Sequence, residues 1–195
     1  MKINWRVLIG NDLVDLRQAA TESNWQRKGY LGKIYTPEEQ ELILNAAEPS
    51  VMVWLLWTMK EAGYKVLNRI TAIRSYSPQS FICCGLITNG SQATAVVCHD
   101  ERRIYIKSEI SSQMIHSTAT LNKQDLEELT LSYMDNSADY RADFNRSSRG
   151  YFLTKTSSGL PLIIHGPTGR KLIASVSHHG KYAAIVYSDS LLSAG

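Results

Sequence analysis

Residues 51–68 constrain this chain more than any other stretch. Val51, Met52, Val53, Trp54, Leu55, Leu56, Trp57 and Met59 leave few polar positions, and Pro49-Ser50 breaks the preceding pattern and restarts it. A helix apolar on nearly all sides is a buried one. The segment is therefore predicted to be a buried helix with the other elements packed against it. Yet it also carries Lys60, Glu61 and Lys65. Glu61 and Lys65 stand four residues apart and share a face, with Trp57 one turn earlier on that face. On an exposed helix such a pair would mean little. Inside an apolar one, charges must be paired, bound to something, or left at a cleft. Two readings follow: an intrahelical Glu61–Lys65 salt bridge, or a carboxylate for a metal and an ammonium for a phosphate.

The whole chain, 195 residues, offers enough length for one domain or two small packed halves. Residues 2–9 read as a strand ending at Gly10, which puts Asp12 at the strand's end or in the next turn. Residues 13–20 read as a short helix and 21–33 as a basic loop. Thr36-Pro37-Glu38-Glu39 is a helix start, with threonine to cap, proline at the first helical position and Glu39 three residues after the cap. That helix is predicted to run to about Ala47. Between 80 and 110, FICCGLI, ATAVVC and RRIYIK are strand-like runs. Asn122 opens a predicted helix with Leu126, Leu129 and Tyr133 at helical spacing. Residues 135–150 are polar and read as a linker or mobile loop. The end returns to strands in GLPLIIHG, KLIASVS and KYAAIVYS.

Composition narrows the function classes. A net charge of +3 is too small to argue for nucleic acid, and no recognition motif for it is present. Arg17, Arg27, Lys28 and Lys33 face only Glu22 in their stretch, which makes either a solvated face or a docking surface for an acidic partner. The cysteines Cys83, Cys84 and Cys98 are odd in number and lack C-x-x-C spacing, so they read as reduced core thiols. No run approaches about 18 apolar residues, so no membrane span is expected. The first twenty residues carry Asp12 and Asp15 and lack a signal-peptide pattern, which makes the cytoplasm the expected location. There is no G-x-S-x-G, P-loop or dinucleotide fingerprint. His99, His116 and His165 have no metal spacing and read as structural.

Two further segments carry possible chemistry. Asp12 in Gly10-Asn11-Asp12 is either a helix cap or, with Glu61, one of two carboxylates of a magnesium site, since that ion is usually held by one or two carboxylates plus phosphate oxygens and waters. Ser175-Val176-Ser177-His178-His179-Gly180 ends a predicted strand and reads either as a polar turn or as a phosphate contact through hydroxyls and backbone N–H groups.

Together these segments resemble one family. Gly10-Asn11-Asp12-Leu13-Val14-Asp15 resembles a G-x-D signature. Lys33-Ile34-Tyr35-Thr36-Pro37-Glu38-Glu39 resembles the segment that commonly precedes the second signature. Trp57-Thr58-Met59-Lys60-Glu61-Ala62-Gly63-Tyr64-Lys65 is similar to that second signature, W-x-x-K-E-[AS]-x-x-K, and Ser175-Val176-Ser177-His178 to an S-x-S-H near a nucleotide contact. The family is the phosphopantetheinyl transferases, which include the holo-acyl-carrier-protein synthases; residues 1–70 and 158–187 carry most of the likeness. It implies an α+β phosphopantetheinyl transferase-like fold, with an antiparallel sheet packed against a long buried helix, as one domain over 1–195 or two pseudo-repeated halves, about 1–118 and 119–195. It implies Mg²⁺-dependent transfer of the 4′-phosphopantetheine arm of coenzyme A to a serine of an acyl or peptidyl carrier protein, releasing 3′,5′-ADP. Asp12 and Glu61 would hold the metal. Glu61 would also help deprotonate the serine, and Lys65 would bind the phosphates. Lys60 would neutralise phosphate charge, Ser177 and His178 would meet the 3′-phosphorylated adenosine end, and Arg17 would dock the carrier.

The chain also departs from the family pattern. Val14 stands where longer members often have a further carboxylate, and Asn11 is an unusual polar residue at the middle of its motif. Both leave room for a non-catalytic homologue that binds coenzyme A or a carrier. Residues 70–155 are much longer than in the short enzymes. That allows a rearranged two-half enzyme with its histidine segment moved to the C-terminus, or an enlarged short enzyme that borrows His178 from a neighbouring subunit. Monomer and homo-oligomer both stay open.

Overall fold

The computed structural model describes residues 8–72 and 75–189. Its elements are the strand β1 (Ile9–Asp15), the helices α1 (Leu16–Glu22), α2 (Leu31–Ile34), α3 (Pro37–Leu44) and α4 (Pro49–Thr71), and the strands β2 (Ile82–Asn89), β3 (Gln92–His99), β4 (Arg102–Ile110) and β5 (Met114–Thr120). After a 3₁₀ segment at Lys123–Glu128 come β6 (Leu129–Asp135), α5 (Tyr140–Ser147), β7 (Tyr151–Lys155), β8 (Pro161–His165), β9 (Arg170–His179) and β10 (Tyr182–Ser188).

The strands form two five-stranded antiparallel sheets, ordered β1-β5-β4-β3-β2 and β6-β10-β9-β8-β7. Each sheet repeats one plan: a first strand, a helical excursion, then a four-strand meander whose last strand returns to pair with the first. This is a mixed α+β fold.

The helix α4 is 23 residues long, with Pro49 in its first turn. Leu55, Leu56, Met59, Ala62 and Val66 are buried in one cluster with Val97, Ile104, Ile106, Ile115 and Ala119 of the first sheet. Full burial of such side chains stabilises by about 1.5–3 kcal/mol each. At the start of α3, Thr36 and Glu39 form the reciprocal capping box that the sequence predicts.

Four expectations need correction. Within the described residues β1 begins at Ile9 and continues through Gly10 and Asp12 to Asp15, so Asp12 lies inside the strand and residues 13–15 are not helical; residues 2–7 of the predicted strand lie outside the described residues. The strand lacks clean alternation because both its faces are covered. Gly10 meets α4 at Ala62, while Ile9 packs with Ile173 and Val186 of the second sheet. Second, the predicted helix from Asn122 is a 3₁₀ segment followed by β6, because residues 129–135 pair with β10 along its whole length. Third, the polar stretch 135–150 holds α5, whose Phe144 is buried against Leu153, Ile163 and Leu172. Fourth, Cys83 is buried but Cys84 is exposed; all three thiols are free. The strands β5 and β7 have no counterpart in the sequence reading. No described helix is long and apolar enough to cross a membrane.

Candidate active site

Glycine at position 10 sets the geometry. A Cβ there would stand 2.0 Å from the Ala62 carbonyl oxygen, so only glycine lets β1 lie directly on the backbone of α4. The strand's alternation then turns Gly10, Asp12 and Val14 toward the helix and Asn11 toward the second sheet. Across that contact the Lys65 Nζ donates to Asp12 Oδ1 at 2.9 Å and to the Asn11 carbonyl oxygen at 2.8 Å. The intrahelical Glu61–Lys65 bridge is absent. Lys65 crosses to β1 instead, and Glu61 makes no hydrogen bond or ion pair with any other described residue.

The electrostatics follow from this arrangement. Burial raises the Asp12 pKa above its ordinary value, with Lys65 opposing the rise. Burial first, then the Asp12 charge, pushes Glu61 up to about 7, again against Lys65. Two half-buried carboxylates that each resist ionisation, one of them without a partner, are a donor set suited to a divalent cation. Among the described residues no group of three His, Cys, Asp or Glu side chains could hold a metal ion. Substrate oxygens and waters would therefore complete any shell there. Val14 is 4% exposed and packs in the core, and Asp15 is occupied as the cap of α1, where it accepts from the Arg17 and Gln18 N–H groups.

Lys60 does not join this group. It is fully buried, 2.7 Å from Glu39 Oε2, and donates to the Pro78 and Phe81 carbonyl oxygens. Its ammonium has three partners within the protein, so the structure does not bring it together with Asp12, Glu61 and Lys65. Glu39, read from sequence only as a capping acid, also accepts from the Cys83 N–H.

The C-terminal segment reaches β1 within the same chain, through one face of β9. Ser175 Oγ accepts from the Asn11 N–H at 3.0 Å, Ser177 Oγ accepts from Asn11 Nδ2 at 2.7 Å, and His179 Nδ1 accepts from the Asp15 N–H at 3.0 Å. Ser177 is 3% exposed and its hydroxyl is held by Asn11. His178 points to the opposite face of β9 and is exposed, so the structure does not bring it into contact with Asp12, Glu61 or Lys65.

Asn11 now has a physical account. It is fully buried and joins the two sheets, bonding Ser177 on one side and His116 Nε2, at 3.0 Å, on the other. His116 Nδ1 lies 2.7 Å from the Tyr133 hydroxyl, which donates to Glu109. A proton on Nδ1 lets His116 donate to the Tyr133 hydroxyl, with Nε2 accepting from Asn11 Nδ2. Burial and the Lys65 charge push the His116 pKa down to about 3, so the ring stays neutral.

Beside α1 lies a cleft of about 480 Å³ lined by Leu16, Ala19, Trp25, Val51 and Trp54. Arg17, Arg27, Lys28 and Lys33 are all exposed. Sequence reasoning missed Tyr76, whose ring packs on Trp57, Tyr64 and Phe81 next to Glu61. No motif marked it; only an aromatic residue shortly after a charged apolar helix hinted at it.

A family model described as the 4′-phosphopantetheinyl transferase superfamily matches residues 8–121, which span β1, α4 and the whole first sheet. None of the curated proteins matches the chain.

Proposed function

The chain belongs to the 4′-phosphopantetheinyl transferase superfamily, and from that premise we propose that it moves the phosphopantetheine arm of coenzyme A onto a serine of an acyl or peptidyl carrier protein, as a holo-acyl-carrier-protein synthase does. The observation that carries this reading is the contact of β1 with α4, where Lys65 pairs with Asp12 at 2.9 Å and Glu61 stands beside them without a partner.

In this reading Asp12 and Glu61 hold Mg²⁺, which when bound supplies charge stabilisation to the pyrophosphate and its leaving oxygen. The Lys65 ammonium, fixed by Asp12 and the Asn11 carbonyl, adds a positive charge at the same place. Glu61 takes the serine proton, directly or through a water. Arg17, exposed on α1 near the cleft that this helix lines, meets the acidic carrier. For the 3′-phosphorylated adenosine end the proposal keeps His178, whose exposed ring is free to meet a ligand. Lys60 and Ser177 are no part of it.

The test is incubation with coenzyme A, Mg²⁺ and a panel of apo carrier proteins, read by mass spectrometry. The expected result is a carrier heavier by one phosphopantetheine, lost in Asp12→Ala and Glu61→Ala variants that stay folded. Folded wild-type protein that modifies no carrier would count against the reading, as would full activity in either variant. Asn11 no longer favours a non-catalytic homologue, because its Nδ2 group is engaged in joining the sheets.

A further inference from the structure

Tyr76 lies outside every motif, yet its ring packs on the residues that flank Glu61 on α4. Its ring centroid is 6.2 Å from that of Trp57 and 4.6 Å from that of Tyr64. Those two residues stand one turn before Glu61 and three residues after it, on the helix face that Glu61 shares. A ring that packs on both stands near Glu61, whose charge acts on it. Phe81 supports it from behind at 5.6 Å.

The hydroxyl of Tyr76 is buried and has no hydrogen-bond partner among the described residues. Leaving a buried hydroxyl unpaired is destabilising, and phenylalanine would keep the ring contacts without that cost. The hydroxyl adds no hydrogen bond to the fold among the described residues. Nor is it a flexible tip, because Lys60 fastens the following loop through the Pro78 and Phe81 carbonyl oxygens. A phenol ordinarily keeps its proton near neutral pH, so the hydroxyl can act as a donor. A fixed neutral donor beside carboxylates that would share a cation calls for one class of partner, an anionic ligand oxygen.

We propose that Tyr76 is a substrate-contacting residue whose hydroxyl donates a hydrogen bond to a phosphate oxygen of the coenzyme A pyrophosphate, an inference that rests on the transferase reading above. The phenol keeps its proton throughout. The serine oxygen forms the new P–O bond, its proton passes to Glu61, and the bond to the 3′,5′-ADP oxygen breaks with its electron pair. Tyr76 orients and stabilises the oxygen that neither joins nor leaves.

The experiment compares the full chain with Tyr76→Phe in three measurements: calorimetric binding of coenzyme A and of inorganic pyrophosphate with Mg²⁺, transfer to an apo carrier across pH, and thermal unfolding. A hydrogen bond to a charged oxygen predicts binding of pyrophosphate weaker by about 10- to 100-fold. Catalytic efficiency for coenzyme A should fall alongside, and the unfolding temperature should be equal or higher. Unchanged affinity and turnover in a more stable variant would overturn the proposal. A displaced pH–rate profile with unchanged pyrophosphate affinity would overturn it too, assigning the hydroxyl to Glu61. If pyrophosphate binding weakens in the variant but the wild type modifies no carrier, the transferase reading falls and the phosphate contact stands. Wild-type protein that binds neither ligand removes both.

Discussion

The buried Lys60–Glu39 pair gives the sharpest test of how the two lysines of α4 divide their roles. Lys60→Met keeps the length and apolar stem of the side chain and removes only the ammonium. Glu39, 1% exposed, would then sit in the core with the Thr36 and Cys83 N–H groups as its remaining donors. The Pro78 and Phe81 carbonyl oxygens would each lose a donor. Removing one partner of a buried ion pair costs about 3–5 kcal/mol, because the other charge is left uncompensated. For a chain of this size that corresponds to a melting temperature lower by roughly 6–20 °C. Replacing both partners, as Glu39→Gln with Lys60→Met, removes the stranded charge and should recover part of the loss. Denaturant and thermal unfolding measure the stabilities; coenzyme A affinity is measured at a temperature where every variant is folded. The expected pattern is large destabilisation with near-normal affinity. A variant as stable as the wild type that no longer binds coenzyme A would refute the reasoning and return Lys60 to the phosphate.

Gly10→Ala should destabilise by more than the roughly 1–3 kcal/mol typical of overpacking, because the added Cβ meets the backbone oxygen of Ala62, which cannot rotate away; an unchanged melting temperature would mean β1 and α4 do not touch there. For Glu61 the pKa is raised to about 7 from an ordinary 4.5, so the folded state keeps a proton that the unfolded state releases, and stability falls as pH rises across that window. Glu61→Gln should therefore be more stable than the wild type by about 2–3 kcal/mol at pH 8 and equal to it near pH 4, while Mg²⁺ should raise the melting temperature of the wild type alone; denaturant titrations at both pH values check this. His116 behaves in the opposite sense: its pKa is lowered to about 3 from 6.5, the unfolded state gains a proton first, and stability is lost as pH falls through that interval. Replacing it with glutamine should flatten the acid limb of the stability curve by an amount on the order of 4 kcal/mol, and an unaltered limb would place the acid sensitivity elsewhere.

Elements whose packing is local were legible in the sequence. The capping box at Thr36 and Glu39 and the restart at Pro49 depend on neighbours within one turn. Elements defined by distant partners were not. β1 was cut short at Gly10 because it is covered on both faces, by α4 and by the second sheet, and so shows no alternation. β6 spaces Leu129 and Tyr133 like a helix, and only the presence of β10 beside it selects a strand. In α5 a single buried residue, Phe144, anchors an otherwise polar stretch.

The site shows the same division at the level of single side chains. The signature sequence places two lysines around Glu61 and treats them alike. A helix turns by about 100° per residue, so Lys60 and Lys65 stand roughly 140° apart on α4 and cannot serve one cleft. Sequence alone fixes that they differ but not which one faces the ligand, because the answer depends on where α3 and β1 lie. α3 takes Lys60 through Glu39, and β1 takes Lys65 through Asp12. Gly10 is what brings β1 close enough for the second of these contacts. The glycine and the aspartate of one motif and the second lysine of the other thus form one mechanical unit. Altering Gly10 should therefore weaken the Asp12–Lys65 pairing without touching either charge.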